Sequence, residues 1–126
     1  MAEKIDLSVK QTKSMNKLIY WVYILYCENN SLYTGYTNNL TKRYNAHLKG
    51  TASKYTSSFK PIGIAQSWEI NSGKSDAMRI ESYIKNLSRI EKEKIIKNPS
   101  LLMTIIAQRS EILNTIPTTD HLQLFK

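Results

Sequence analysis

The chain reads as an α+β fold in which helices flank a small, mostly antiparallel sheet of three strands. Three observations predict it. An apolar run rich in β-branched and aromatic residues, Ile19 to Cys27, is followed after four polar residues by a second strand-like segment. A third such segment follows Pro61. Between and after them, apolar residues recur at helical spacing behind capping residues. At 126 residues the chain falls within the usual size of one domain.

Taken in order, Ile19 to Cys27 is the first strand, Glu28-Asn29-Asn30-Ser31 a turn and Leu32 to Tyr36 the second strand, together a β-hairpin. Asn39 is placed to cap a helix in which Leu40, Tyr44 and Leu48 recur at i, i+4 and i+8, with Gly50 as its stop. Residues 51–60 read as a polar loop before Pro61, and Ile62 to Ile70 returns as the third strand. Ser75 is the expected cap of a second helix with Ala77, Ile80, Ile84 and Leu87 as its inward stripe. Ser88 and Glu91 have capping-box spacing and open a third helix through about Lys97, closed by Asn98-Pro99. Leu101 to Ala107 is apolar enough for a further helix. The expected organisation is an arm at 1–17, a domain at 18–98 and a helical extension with a tail at 99–126.

The run Leu18 to Cys27 follows three lysines and superficially resembles a secretory leader. Bulky Tyr26 stands where cleavage needs a small residue, and the run is far below the ~20 residues that span a bilayer. Eighteen Lys and Arg against ten Asp and Glu give a formal charge of +8 and a pI near 9.6, which favours a polyanionic partner, nucleic acid above all. Cys27 is the single cysteine, so the chain makes no internal disulfide, and a reducing, cytoplasmic setting is expected.

The hairpin carries Trp21-Val22-Tyr23 on one strand and Tyr33-Thr34-Gly35 on the other. Arg43 and His47 follow on the next helix, and Glu81 lies on the helix after the third strand. In order and spacing this resembles the GIY-YIG nuclease family from about Tyr20 to Lys97. It is most similar to the small stand-alone bacterial members, and also resembles the catalytic subunit of structure-selective endonucleases that cut branched DNA. Trp21 stands in place of the first-triplet glycine and Thr34 in place of the second-triplet isoleucine. Asn86 is the nearest candidate for the polar partner that many members carry downstream of the glutamate.

The resemblance implies a metal-dependent endonuclease acting on DNA, with Tyr23, Tyr33, Arg43, His47 and Glu81 as catalytic residues. Phosphodiester hydrolysis needs an activated water, charge stabilisation at phosphorus and a proton for the leaving oxygen. Glu81 is the expected ligand of one Mg²⁺ or Mn²⁺, since a carboxylate suits a hard cation that keeps several waters. Arg43 offers a planar fork for the scissile phosphate, and His47, four residues on, shares its helix face. The resemblance makes Tyr23 the general base or the holder of the attacking water, and Tyr33 an orienting group. An unperturbed tyrosine titrates near pH 10, so Tyr23 needs assistance near neutrality.

Gly35 permits close backbone approach, either to a packed element or to substrate. Lys42, Lys54, Tyr55 and Lys85 are the expected nucleic-acid contacts, with Tyr55 placed to stack on a base. Plainer roles compete residue by residue: Glu81 paired with Lys85 at i, i+4, tyrosines serving as core, lysines serving solvation. The corresponding alternatives for the whole are a non-catalytic nucleic-acid-binding module with the same fold, or an interaction protein. A targeting protein subunit is a further expected partner, because residues 98–126 are short for a second DNA-binding module.

Overall fold

The computed structural model describes residues 19–113, with side chains through Arg109. The expected arm at 1–17 and the end of the tail lie outside the described residues. The elements run β1 (Tyr20–Cys27), β2 (Leu32–Thr37), α1 (Leu40–Lys49), α2 (Lys54–Ser58), β3 (Pro61–Ile70), α3 (Lys74–Lys85), α4 (Arg89–Lys97) and α5 (Ser100–Leu113). The fold is α+β, and the sheet has the order β2-β1-β3 with both pairings antiparallel.

The hairpin register sets Tyr23 opposite Gly35 and Leu25 opposite Tyr33. Its turn closes through Asn30 N–H to Cys27 O and Cys27 N–H to Ser31 O, with Asn30 at φ 66°, a conformation that asparagine tolerates. The central strand β1 buries Val22, Tyr23, Ile24 and Leu25 in succession. Four consecutive buried residues mean that both faces of the strand are covered, which is why the segment reads as a continuous apolar run without alternation. Each large apolar side chain buried there contributes about 1.5–3 kcal/mol. Register shifts at Ile24/Leu25 and Tyr26/Cys27 bend β1 against β3.

Asn39 caps α1 by accepting from Lys42 N–H, and Gly50 at φ 82° ends it. The inward side of α1 differs from the expected stripe. His47 is its buried residue, whereas Leu48 is 44% exposed. A second difference lies in residues 51–60, where a five-residue helix, α2, replaces the expected loop. Ser53 caps it by accepting from Thr56 N–H, and its packing depends on contacts distant in sequence. The onset of α3 also falls two residues earlier than a Ser75 cap would give, with the Gly73 carbonyl accepting from Ala77 N–H.

The chain divides into two compact units, Met1–Glu81 and Ser82–Lys126, the division falling within α3. The first holds the sheet, α1, α2 and the start of α3. In the second, Ser88 and Glu91 form the expected capping box of α4. Tyr83, Ile84, Ile95 and Leu102 are buried, and Arg109 lies over the Tyr83 ring at 5.0 Å. No helix among the described residues is long and apolar enough to cross a membrane.

Candidate functional site

Strand pairing places the centre of the site. A Cβ on Gly35 would overlap the Tyr23 hydroxyl and lie 2.7 Å from Tyr23 Cζ. Glycine at 35 therefore lets the Tyr23 ring lie across β2, and the close approach that its missing side chain permits is to Tyr23. Helix α1 then brings His47 to the same hydroxyl, with Tyr23 Oη and His47 Nε2 2.8 Å apart.

From there a polar chain continues through buried ground. His47 Nδ1 lies 2.7 Å from Thr56 Oγ1, and Thr56 Oγ1 lies 2.8 Å from Ser53 Oγ. Tyr23, His47 and Thr56 are at most 2% exposed, and each polar atom of the chain has a partner. Burial pushes the Tyr23 hydroxyl well above the usual tyrosine range, with Tyr33 adding to the effect and Arg43 opposing it. Burial likewise lowers His47 to about 4, helped by Arg43. At neutral pH both are uncharged.

Tyr33 packs edge-on against His47, ring centroids 5.1 Å apart, and lies nearly parallel to Tyr55 at 6.1 Å. The Tyr55 hydroxyl is tied to Ser31 Oγ and Asn29 Nδ2. An aromatic layer thus extends from the site to the half-exposed ring of Phe59, 5.3 Å from that of Tyr55.

A cleft of about 340 Å³ opens over these groups, and it brings together Tyr23, Tyr33, Gly35, Arg43 and Glu81. Of the five residues expected to act in catalysis, His47 alone does not line it; it stands buried against Tyr23. Sequence reasoning missed Tyr20, Tyr36, Thr37, Asn38 and Lys74, which also line the cleft. Tyr20 and Tyr36 were visible as strand aromatics, and their rings lie 6.3 Å apart. Lys74 carried no local signal beyond its place at the start of a helix. Thr56 was hidden in the segment read as loop.

Arg43 and Lys74 supply two cations to the cleft and Glu81 one carboxylate. Among the described residues no three His, Cys, Asp or Glu side chains converge as a metal cluster. Such a donor set does not fit a closed nitrogen or sulfur site. It suits one hard divalent cation, which Glu81 would hold.

Of the expected nucleic-acid contacts, Gly35 alone lines this cleft. Lys42 is exposed on α1, and its side chain does not line the cleft. Lys54 lines a second cleft, of about 560 Å³, with Gly50, Thr51, Ser53, Ser57 and Ser58. Tyr55 belongs to the aromatic layer. Lys85 is exposed and lies within the second compact unit. In that unit, too, Asn86 donates from Nδ2 to Ser82 O and finishes the last turn of α3.

Comparison with known proteins followed the same segment. The GIY-YIG catalytic domain family matches residues 19–95. A UPF0213 protein of Staphylococcus haemolyticus is 45% identical over 78 residues, covering 62% of this chain and 94% of that protein. A UPF0213 protein of Clostridium perfringens is 43% identical over 81 residues, covering 64% of this chain and 86% of its own length. The solution NMR structure of a UPF0213 protein from Bacillus halodurans is 38% identical and covers 63% of this chain and 83% of that one, with a TM-score of 0.42.

Proposed function

Because the chain belongs to the GIY-YIG nuclease family, we propose that it is a metal-dependent endonuclease that hydrolyses phosphodiester bonds in DNA, with branched or damaged duplexes as its substrates in repair or recombination. The observation that carries this reading is the single cleft onto which Tyr23, Tyr33, Arg43 and Glu81 converge from four separate elements, with His47 bonded to Tyr23.

Arg43 grips the scissile phosphate and neutralises the charge that grows on its oxygens as phosphorus becomes pentavalent. Lys74, across the same cleft, adds a second cation. Glu81 holds one Mg²⁺ or Mn²⁺, which when bound polarises a phosphate oxygen and lowers the charge that the leaving oxygen must carry. Tyr23 holds the attacking water and takes its proton, passing its own phenolic proton to His47 Nε2. The buried site favours this exchange over a free tyrosinate, since burial disfavours both charged forms. Tyr33 orients water or phosphate at the opposite side.

On this reading residues 18–98 are the catalytic domain and 99–126 a helical extension. Lys42, Lys54, Tyr55 and Lys85 contact the DNA backbone and bases, Gly35 keeps room for Tyr23, a targeting subunit contributes to target choice, and the protein works in the cytoplasm.

The test is cleavage of linear, flapped and four-way-branched DNA by purified protein with Mg²⁺ or Mn²⁺, beside EDTA and Glu81→Ala controls. Cutting that disappears in both controls, with the melting temperature of Glu81→Ala unchanged, is the expected result. Binding without cutting on every substrate would convert the protein into a non-catalytic nucleic-acid module.

A further inference from the structure

Three steps lead from the cleft to a second one. Tyr23 lines the cleft and its Oη meets His47 Nε2, His47 Nδ1 meets Thr56 Oγ1, and Thr56 Oγ1 meets Ser53 Oγ, at 2.8, 2.7 and 2.8 Å. Ser53 is half-buried and lines the second cleft. The chain of contacts is therefore continuous from one opening to the other. We propose that Tyr23, His47, Thr56 and Ser53 form a proton exit, with Thr56 as the positioning residue that keeps His47 protonated on Nδ1 and open on Nε2. The inference rests on the nuclease reading for its reaction, but the tautomer it assigns is a property of the protein alone.

The direction of the hydrogen bonds follows from donor and acceptor strength. A phenol is a good donor and a poor acceptor, whereas an unprotonated imidazole nitrogen is a strong acceptor. Tyr23 O–H therefore donates to Nε2, Nδ1–H donates to Thr56 Oγ1, and the Thr56 hydroxyl donates to Ser53 Oγ. In this arrangement every proton inside the buried stretch has an acceptor, and the one left over belongs to Ser53, beside solvent. The reverse arrangement would spend the imidazole N–H on the phenol oxygen and leave the Tyr23 proton without a partner within the chain.

During hydrolysis the water oxygen forms its bond to phosphorus as the bond to the leaving oxygen breaks, and the leaving oxygen keeps that electron pair and takes a proton from solvent. The attacking water gives its proton to Tyr23 Oη. Tyr23 gives its proton to Nε2, Nδ1 gives one to Thr56, Thr56 gives one to Ser53, and Ser53 releases one to water in the second cleft. No group along the path keeps a charge. That answers the difficulty that Tyr23 and His47 both resist ionisation in this environment. It also explains what a five-residue helix with a fully buried threonine contributes to the site.

The first experiment is proton–nitrogen NMR of the His47 ring in the wild-type protein. The expected spectrum shows Nδ1 protonated and Nε2 as an acceptor; Nε2 protonated would overturn the proposal, whether or not the protein cleaves DNA. The second compares wild type, Thr56→Val and Thr56→Ser in cleavage with Mn²⁺, with thermal melts to establish folding. Thr56→Val should lower kcat roughly 100-fold with KM little changed, as expected for the loss of an assisted proton transfer, and Thr56→Ser should restore it to within about threefold of wild type. The dependence of kcat on deuterium content should be curved in wild type, reporting several protons in flight, and straight in Thr56→Val. Equal kcat in Thr56→Val and wild type would overturn the exit. If Thr56→Val does not fold, a straight dependence in wild type does so equally. Wild-type protein that shows the assigned tautomer but cuts nothing would instead count against the nuclease reading.

Discussion

The cleft has a wall and a mouth that are built by opposite means. The wall is Tyr23, which lines the cleft, backed by His47 and Thr56, which do not; all three are neutral, almost fully buried and joined in one chain of hydrogen bonds. The mouth is Arg43 and Lys74, exposed cations, with the half-buried carboxylate of Glu81. A buried polar group is costly unless every partner is in place, so the wall serves the fold and, on the proposed reading, the chemistry as well. Exposed charges are screened and contribute little to stability, so on the proposed reading the mouth serves the ligand. Substitutions in the two regions should therefore differ in kind: loss of rate with loss of stability in the wall, loss of rate or binding alone at the mouth.

The largest effect belongs to His47. His47→Leu should abolish assisted proton transfer and also destabilise the protein, because the Tyr23 and Thr56 hydroxyls lose their shared partner, at about 1–3 kcal/mol for such a buried loss. The pH dependence separates this from simple repacking. His47 is held at about 4 in the folded protein against 6.5 when unfolded. The fold favours the neutral form, so this contribution is fully present above pH 6.5 and is lost as pH falls from 6.5 through about 4. A difference of that size amounts to roughly 2–4 kcal/mol. Urea unfolding of both proteins from pH 7.5 to 4 should show wild type losing stability faster than His47→Leu on acidification. Parallel curves would mean that His47 is not buried neutral, and the distinction between wall and mouth would fail at its centre.

Gly35 is the next test, since it is where the wall touches the sheet. Gly35→Ala puts a methyl group into the Tyr23 ring, and overpacking of this kind costs about 1–3 kcal/mol. Stability and kcat should fall together while DNA affinity, measured by fluorescence anisotropy without metal, holds. If affinity fell and the melting temperature did not, Gly35 would instead serve the approach of substrate and belong with the mouth.

Much of this architecture was legible because it is local. The hairpin, the Asn39 cap, the Gly50 stop and the Ser88–Glu91 capping box are each written within a few consecutive residues. The spacing of Tyr23, Tyr33, Arg43 and Glu81 was legible too, as a resemblance, and the cleft gathers them. The wall was not. His47 interrupts the apolar stripe expected of α1, and its burial is explained by partners 24 residues before it and nine after it. Leu48 at the expected stripe position is exposed instead. Helix α2 is five residues long, shorter than any periodicity can reveal, and its Thr56 is fully buried where an isolated Ser-Lys-Tyr-Thr-Ser reads as a solvated loop. Polar residues committed to one another over long sequence distances leave no local pattern.

Lys74 offers the smallest effect and the sharpest contrast in sign. It opens α3, where the helix dipole already presents positive charge, and a lysine in a first turn is unfavourable by about 0.3–1 kcal/mol. Among the described residues no ion pair holds Lys74, whereas a phosphate bound in the cleft would account for a cation there. Lys74→Ala should therefore leave stability equal or slightly raised, weaken DNA binding severalfold, and reduce the slope of log affinity against log salt by about one phosphate contact. Melting temperature and anisotropy titrations between 50 and 200 mM salt read both halves of the claim. A fall in stability would assign Lys74 to the fold. An unchanged salt slope would remove it from the ligand, leaving Arg43 to carry the phosphate alone. The expected outcome, weaker binding by a protein at least as stable, is one that no residue of the wall can give.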